Sequence, residues 1–228
     1  MGGILDRPIL ETPFAVIDLE TTGLQPGPDR IVEIAVVRVD PGAEPYVALE
    51  TLVNPRRPMG ATFIHGITDA DVADAPAFEA VLPHLVSALE GCVVAAYNVY
   101  FDARFLEFEL ANAGFGGRPP HLCLMYLRPL LGLGRACTLG AACRRHGIPY
   151  RHAHASLPDA LAAARLLQVY HGVLQGSGIY TFAQLAESGR YRFLRSFHRS
   201  PLSCEALPGL PAADPATFKR RSLELEAP

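Results

Sequence analysis

Asp18-Leu19-Glu20-Thr21-Thr22-Gly23-Leu24 follows a short apolar run, Phe14-Ala15-Val16-Ile17, that reads as a buried strand. Successive side chains on a strand alternate faces, so Asp18 and Glu20 point the same way. Two carboxylates on one face repel each other unless a cation sits between them. Hard divalent ions such as Mg²⁺ or Mn²⁺ prefer carboxylate oxygens. Thr21, Thr22 and Gly23 then break the strand and open a turn. Alone, the pattern would be a solvated acidic strand end, so its meaning depends on what else the chain brings to it.

The chain has 228 residues, of which 50% are hydrophobic, enough for one sizeable domain with a C-terminal extension. The expected division is an N-terminal domain over residues 1–175 and an extension over 176–228. A net charge of −3 provides no global basic field, so only local patches could hold a polyanion. Lys219 is the single lysine, and arginine supplies the other positive charges. Its forked guanidinium suits phosphate. Cys92, Cys123, Cys137, Cys143 and Cys204 are odd in number and form no Cys-x-x-Cys, which points to a reducing, cytoplasmic setting. Cys143, His146, His152 and His154 crowd together, but their spacing fits no familiar zinc pattern. The N-terminus lacks the basic lead and apolar core of a signal peptide, and no apolar run approaches membrane-spanning length.

Along the chain, Gln25-Pro26-Gly27-Pro28-Asp29 is a turn cluster and Ile31–Val39 a β-branched second strand. Tyr46–Val53 reads as a third strand. Thr68 caps a short helical turn, and Pro76 opens a helix with Phe78, Val81, Leu82, Leu85 and Leu89 on one side. Cys92–Tyr97 is a fourth strand, followed by a helix through Phe101, Asp102, Phe105 and Leu110. Leu122–Leu127 reads as a fifth strand or extended segment. Thr138 caps a helix to His146, and Ser156-Leu157-Pro158-Asp159 opens a long one. Strands first, then alternating helix and strand, give an α/β fold with a mixed five-stranded sheet flanked by helices.

Asp102 lies in the first turn after the fourth strand, and sites in open α/β sheets gather at strand carboxyl ends. It converges with Asp18 and Glu20 if the first and fourth strands are parallel neighbours. Asp102 taken alone would be a helix-dipole carboxylate. Asp159 taken alone would complete a capping box with Ser156. His154, five residues before Asp159, sits where a loop histidine could take a proton from a metal-bound water.

Together these residues resemble the DEDDh class of 3′–5′ exonucleases, most closely the proofreading (epsilon) subunit of bacterial DNA polymerase III. The motifs are Asp18-Leu19-Glu20-Thr21-Thr22-Gly23, Asn98-x-x-Phe101-Asp102 and His154-x-x-x-x-Asp159, with Ile64-His65-Gly66-Ile67-Thr68 between the first two. The similarity runs from about residue 12 to 175. It implies an RNase-H-like fold and two Mg²⁺ or Mn²⁺ ions held by Asp18, Glu20, Asp102 and Asp159. His154 would activate the attacking water. Thr21, Leu24, Ile64 and His65 would meet the 3′-terminal nucleotide, with Asn98 and Phe101 also on the substrate side. Tyr97 departs from the family, which often has histidine before the Asn.

The activity implied is metal-dependent 3′–5′ hydrolysis of DNA to nucleoside 5′-monophosphates, in proofreading or repair. Single-stranded DNA 3′ ends would be the substrate and a DNA polymerase subunit a partner. RNA 3′-end trimming is the alternative within the class, to be decided by 2′-OH recognition. A non-catalytic nucleic-acid-binding module is disfavoured, because clustered carboxylates repel phosphates. After Gly189, Arg190, Arg192, Arg195 and Arg199 interleave with Tyr191, Phe193 and Phe197. That pattern suits strand tracking, docking of the rings onto the core, or partner docking. From Pro201 onward Pro and Ala dominate and poor order is expected.

Overall fold

The computed structural model describes residues 3–115, 118–151, 154–203 and 218. Five strands, β1 (Phe14–Thr21), β2 (Ile31–Val39), β3 (Tyr46–Leu52), β4 (Val93–Ala96) and β5 (His121–Cys123), form one sheet in the order β3-β2-β1-β4-β5. β1 pairs antiparallel with β2, and β2 with β3, as short turns allow. β4 is parallel to β1, and β5 to β4, each reached by a helical crossover. The acidic strand is therefore central, and its carboxyl end shares an edge of the sheet with the end of β4.

Two short helices, α1 (Thr62–His65) and α2 (Asp69–Val72), precede α3 (Phe78–Leu89), which packs on β1, β2 and β3. α4 (Val99–Asn112) follows β4 and lies against β1, β4 and β5. The long α7 (Ser156–Gly176) crosses β1 and β2. Between them come α5 (Leu124–Leu130) and α6 (Leu139–Arg145). Thr138 caps α6 as expected, its Oγ1 accepting from the Ala141 N–H at 3.3 Å.

Two local expectations need correction. The apolar run Leu122–Leu127 is strand only as far as Cys123, and Leu124 and Leu127 bury one face of α5 instead. A run that short has no period that separates strand from helix. Nor does Ser156 cap α7. Ala155 is the N-cap, Ser156 is the first helical residue, and its backbone N–H donates to Glu33 Oε2 of β2 at 3.0 Å.

Ser177 and Gly178 turn the chain, yet the segment beyond them shares the same core. Phe182 and Leu185 of α8 (Phe182–Glu187), and Phe193 and Phe197 of a 3₁₀ segment (Arg192–His198), are fully buried in it. Ile4 N donates to Phe197 O, so the two ends of the described chain meet. The aromatics of the Arg/aromatic stretch thus face the core. One hydroxyl fastens this segment beside β5. Ser196 Oγ accepts from His121 N at 2.8 Å and donates to His121 O at 3.0 Å. Cys204 and nearly all of the Pro/Ala-rich end lie outside the described residues.

A buried ion pair ties the β1–β2 connection to α4. Arg30 Nε and Nη2 donate to the two carboxylate oxygens of Glu109 at 2.6 and 2.7 Å. The Glu109 side chain is 2% exposed and that of Arg30 29%. Arg30 also pairs through its backbone with Thr22, fixing the turn after the acidic motif.

Candidate active site

Asp18 and Glu20 are half-buried on β1, while their neighbours Leu19 and Thr21 are buried on the other face. Thr21 Oγ1 donates to Gly23 O at 2.6 Å. Gly23 must lack a side chain, because the Asp29 carboxylate fills the place of its Cβ and accepts the Gln25 N–H at 2.9 Å. Asp102, buried in the first turn of α4, is drawn to β1 through the Leu19 N–H, which donates to its Oδ1 at 3.1 Å. The parallel pairing of β1 and β4 creates this approach.

Asp159 enters from α7. Its Oδ1 accepts the Tyr150 hydroxyl at 2.8 Å, and its Oδ2 the His154 backbone N–H at 3.4 Å. His154 is exposed, with φ at 66°, a left-handed conformation uncommon for a side-chain-bearing residue. His152 lies outside the described residues.

Electrostatics shows that these carboxylates share one region. Burial pushes the Asp18 carboxyl well above the usual range, and the charges of Asp102, Asp159, Glu20 and Glu33 push it further. Burial also pushes Asp102 up to about 7, against the opposing pull of its own backbone N–H and that of Leu19. Asp159 is raised by burial and held back by Tyr150 and His154. The donor set therefore fits a hard divalent ion in chemistry and in charge. Among the described residues no three His, Cys, Asp or Glu groups already close into a metal cage. The hydroxyl of Tyr150 occupies one Asp159 oxygen that an ion would use.

The loop before and around α1 abuts the β1 turn. A Cβ on Gly60 would collide with Thr22 O. His65 is buried; its Nδ1 accepts the Ile67 N–H at 3.1 Å, which leaves the hydrogen on Nε2, 3.3 Å from Thr21 O. Leu24, Phe63 and Ile64 are large apolar side chains exposed on these adjoining loops. Asn98 is exposed at the N-cap of α4, and half-buried Phe101 rests on Phe105 with centroids 5.1 Å apart. Tyr97 points away to Cys137 O, 2.7 Å from its hydroxyl.

Sequence reasoning passed over three residues. Glu33 lies opposite Glu20 in the β1–β2 register, buried, and holds the start of α7. A carboxylate inside the apolar run Ile31–Val39 was the available signal. Tyr150 left no signal beyond its place nine residues before Asp159. Phe63, fully apolar yet exposed beside Ile64, could have been singled out with it.

A model of the exonuclease (RNase_T) family matches residues 15–167. A DNA polymerase III subunit epsilon-like protein of Rhodobacter capsulatus is 37% identical over 188 residues, covering 79% of this chain and 27% of that protein. A PolC-type DNA polymerase III of Thermotoga maritima is 30% identical over 195 residues, 82% of this chain and 14% of that one. The chain thus spans only about a quarter or less of these relatives. Among solved structures, exonuclease X in complex with 5′ overhanging duplex DNA is 32% identical with a TM-score of 0.58, covering 77% of this chain and 99% of that one. E. coli exonuclease I with a dT13 oligonucleotide, 20% identical with a TM-score of 0.60 over 74% of this chain and 43% of that one, shares the fold. Among the described residues no helix is long and apolar enough to cross a membrane.

Proposed function

This chain belongs to the exonuclease family whose model it matches, and from that membership we propose that it hydrolyses DNA from the 3′ end, releasing nucleoside 5′-monophosphates. The observation that carries this reading is the approach of Asp102 to β1, its Oδ1 accepting at 3.1 Å the N–H of Leu19, the residue between Asp18 and Glu20, while the charges of Asp102, Asp159 and Glu20 all bear on the buried Asp18 carboxyl. Asp18, Glu20, Asp102 and Asp159 would hold two Mg²⁺ or Mn²⁺ ions. Such ions, when bound, offset the charge of the phosphodiester and stabilise both the attacking and the leaving oxygen.

The remaining work falls to the chain's own side chains. His154, exposed at the mouth of α7 and fixed through its backbone to Asp159, takes the proton of the attacking water. His65, locked by Ile67 and Thr21, forms a rigid floor at the turn after β1. Leu24 and Ile64 offer apolar surface to the terminal nucleoside, and Asn98 and Phe101 flank the entrance from α4. Thr21 sets the turn through its bond to Gly23. DNA is favoured over RNA by the relatives' names and by the duplex DNA held in the exonuclease X structure. Those names also suggest a polymerase subunit as partner and a role in proofreading or repair.

The deciding experiment compares single-stranded DNA, mismatched duplex DNA and RNA oligomers in Mg²⁺, in Mn²⁺ and in excess EDTA. Mononucleotides shed one at a time from DNA 3′ ends, and only with metal, are the expected products. Preferential RNA trimming would reassign the substrate, early long fragments would indicate an endonuclease, and cleavage in EDTA would refute the metal reading.

A further inference from the structure

The side of α4 turned toward the C-terminal 3₁₀ segment borders a cavity of 280 Å³, outside the acidic cleft. Arg104, Arg118, Arg192, Arg195 and Arg199 line it, and among the described lining residues Glu107 is the only carboxylate. The local geometry explains why so many arginines meet there. A 3₁₀ helix repeats every three residues, so Arg192 and Arg195 fall on one edge about 6 Å apart. The residues between and beyond them, Phe193, Leu194, Ser196 and Phe197, turn into the core. The aromatics anchor the segment, and its arginines are thereby held in place.

Glu107 is already committed, to Arg199 at 3.3 Å and to Arg118 at 3.6 Å. Arg104 donates through Nε to Tyr100 O at 3.0 Å, and the Arg192 guanidinium lies over the Tyr100 ring, 5.7 Å from its centroid. Neither those two nor Arg195 has a carboxylate partner among the described residues. Their forked donors match a phosphate, and gathering them without an anion leaves like charges facing one another. In a chain of net charge −3, so local a positive excess marks a place where an anion is received.

The position of the cavity indicates which anion. α4 carries Asp102 in its first turn, and the cavity wall begins two residues earlier at Tyr100 and continues to Glu107. That is about 10 Å along the helix on a different face from Asp102. We propose that this arginine-lined cavity is a second phosphate site, which holds the sugar–phosphate backbone of the nucleic acid away from the 3′ end being cut. The inference rests on the nuclease reading above.

The test measures binding by fluorescence anisotropy in EDTA, using single strands of about four and about 20 nucleotides. In parallel, hydrolysis of the p-nitrophenyl ester of thymidine 5′-monophosphate in Mn²⁺ reports the cleft alone. Arg192→Ala/Arg195→Ala should weaken binding of the long strand about tenfold and leave ester hydrolysis unchanged. The slope of log K against log salt should fall by about 1.4, roughly 0.7 for each phosphate no longer neutralised. Glu107→Gln should act in the opposite direction, tightening the long strand by releasing Arg118 and Arg199, a gain that a merely structural role would not produce. Undiminished long-strand affinity in a folded double variant overturns the proposal. If the double variant does not fold, Glu107→Gln decides alone: no gain in affinity overturns the site. Ester hydrolysis absent from the wild type would instead sink the nuclease reading, which the anisotropy arm does not depend on.

Discussion

Replacing Arg30 with methionine should destabilise the protein far more than loss of a surface ion pair. The guanidinium meets both oxygens of Glu109, whose side chain is 2% exposed. Removing it leaves a carboxylate in the interior with its main partner gone. Breaking a buried pair from one side costs about 3–5 kcal/mol, against about 0–1 kcal/mol for an exposed pair. Arg30 is itself 29% exposed, which places the expectation near the lower end. For a domain of this size each kcal/mol lowers Tm by about 2–4 °C, so a fall of roughly 6–12 °C is expected for about 3 kcal/mol. The double variant Arg30→Met/Glu109→Met removes the stranded charge and should recover most of the loss. Thermal and urea unfolding of the four proteins close the cycle. A single-variant cost below about 1 kcal/mol, or a double variant no more stable than the single, would refute the claim that the Glu109 carboxylate is a buried charge held by Arg30.

Three further outcomes are expected. The carboxyl of Asp102 is pushed up to about 7, so the native state binds that proton more tightly than the unfolded chain. Its contribution is therefore full below about pH 4 and lost as pH rises through 7, and Asp102→Asn should gain stability over the wild type across that window in EDTA. Melting curves against pH check this, and Mn²⁺ should close the gap by stabilising the wild type. His154→Ala should slow the single-turnover chemical step by about 10²–10⁴-fold with little change in melting temperature, and a loss under tenfold would remove it as the base. Truncation after Gly178 exposes the packing surface of Phe182, Leu185, Phe193 and Phe197, so Tm should fall; an unchanged Tm would mean that their burial contributes nothing.

The strand pattern and the motif residues were legible because each rests on local order. Phe14–Ile17 announces β1, alternation puts Asp18 and Glu20 on one face, and Thr138 marks the start of α6. Asp102 was legible only conditionally, since its approach to β1 depends on the parallel β1–β4 pairing. Contacts between distant segments were not legible. Glu33 reaches the Ser156 backbone across 123 positions, and no local pattern encodes such a partner. The supposed capping box failed for the same reason: a remote carboxylate, Glu33, accepts the Ser156 N–H that Asp159 would have accepted locally. The Arg/aromatic stretch was ambiguous because its alternation fits both a strand tracker and a docked segment. Only the neighbours of Phe193 and Phe197 separate the two.

The hydroxyl of Ser196 has a wider consequence. β5 is the last strand of its sheet, and an outermost strand presents unpaired backbone groups that can template the addition of another chain. At His121 one side chain satisfies both groups, donor and acceptor, that a sixth strand would have used. The 3₁₀ segment therefore works as a cover against self-association as well as a piece of the core. Where a longer neighbour would extend the sheet, a single serine ends it.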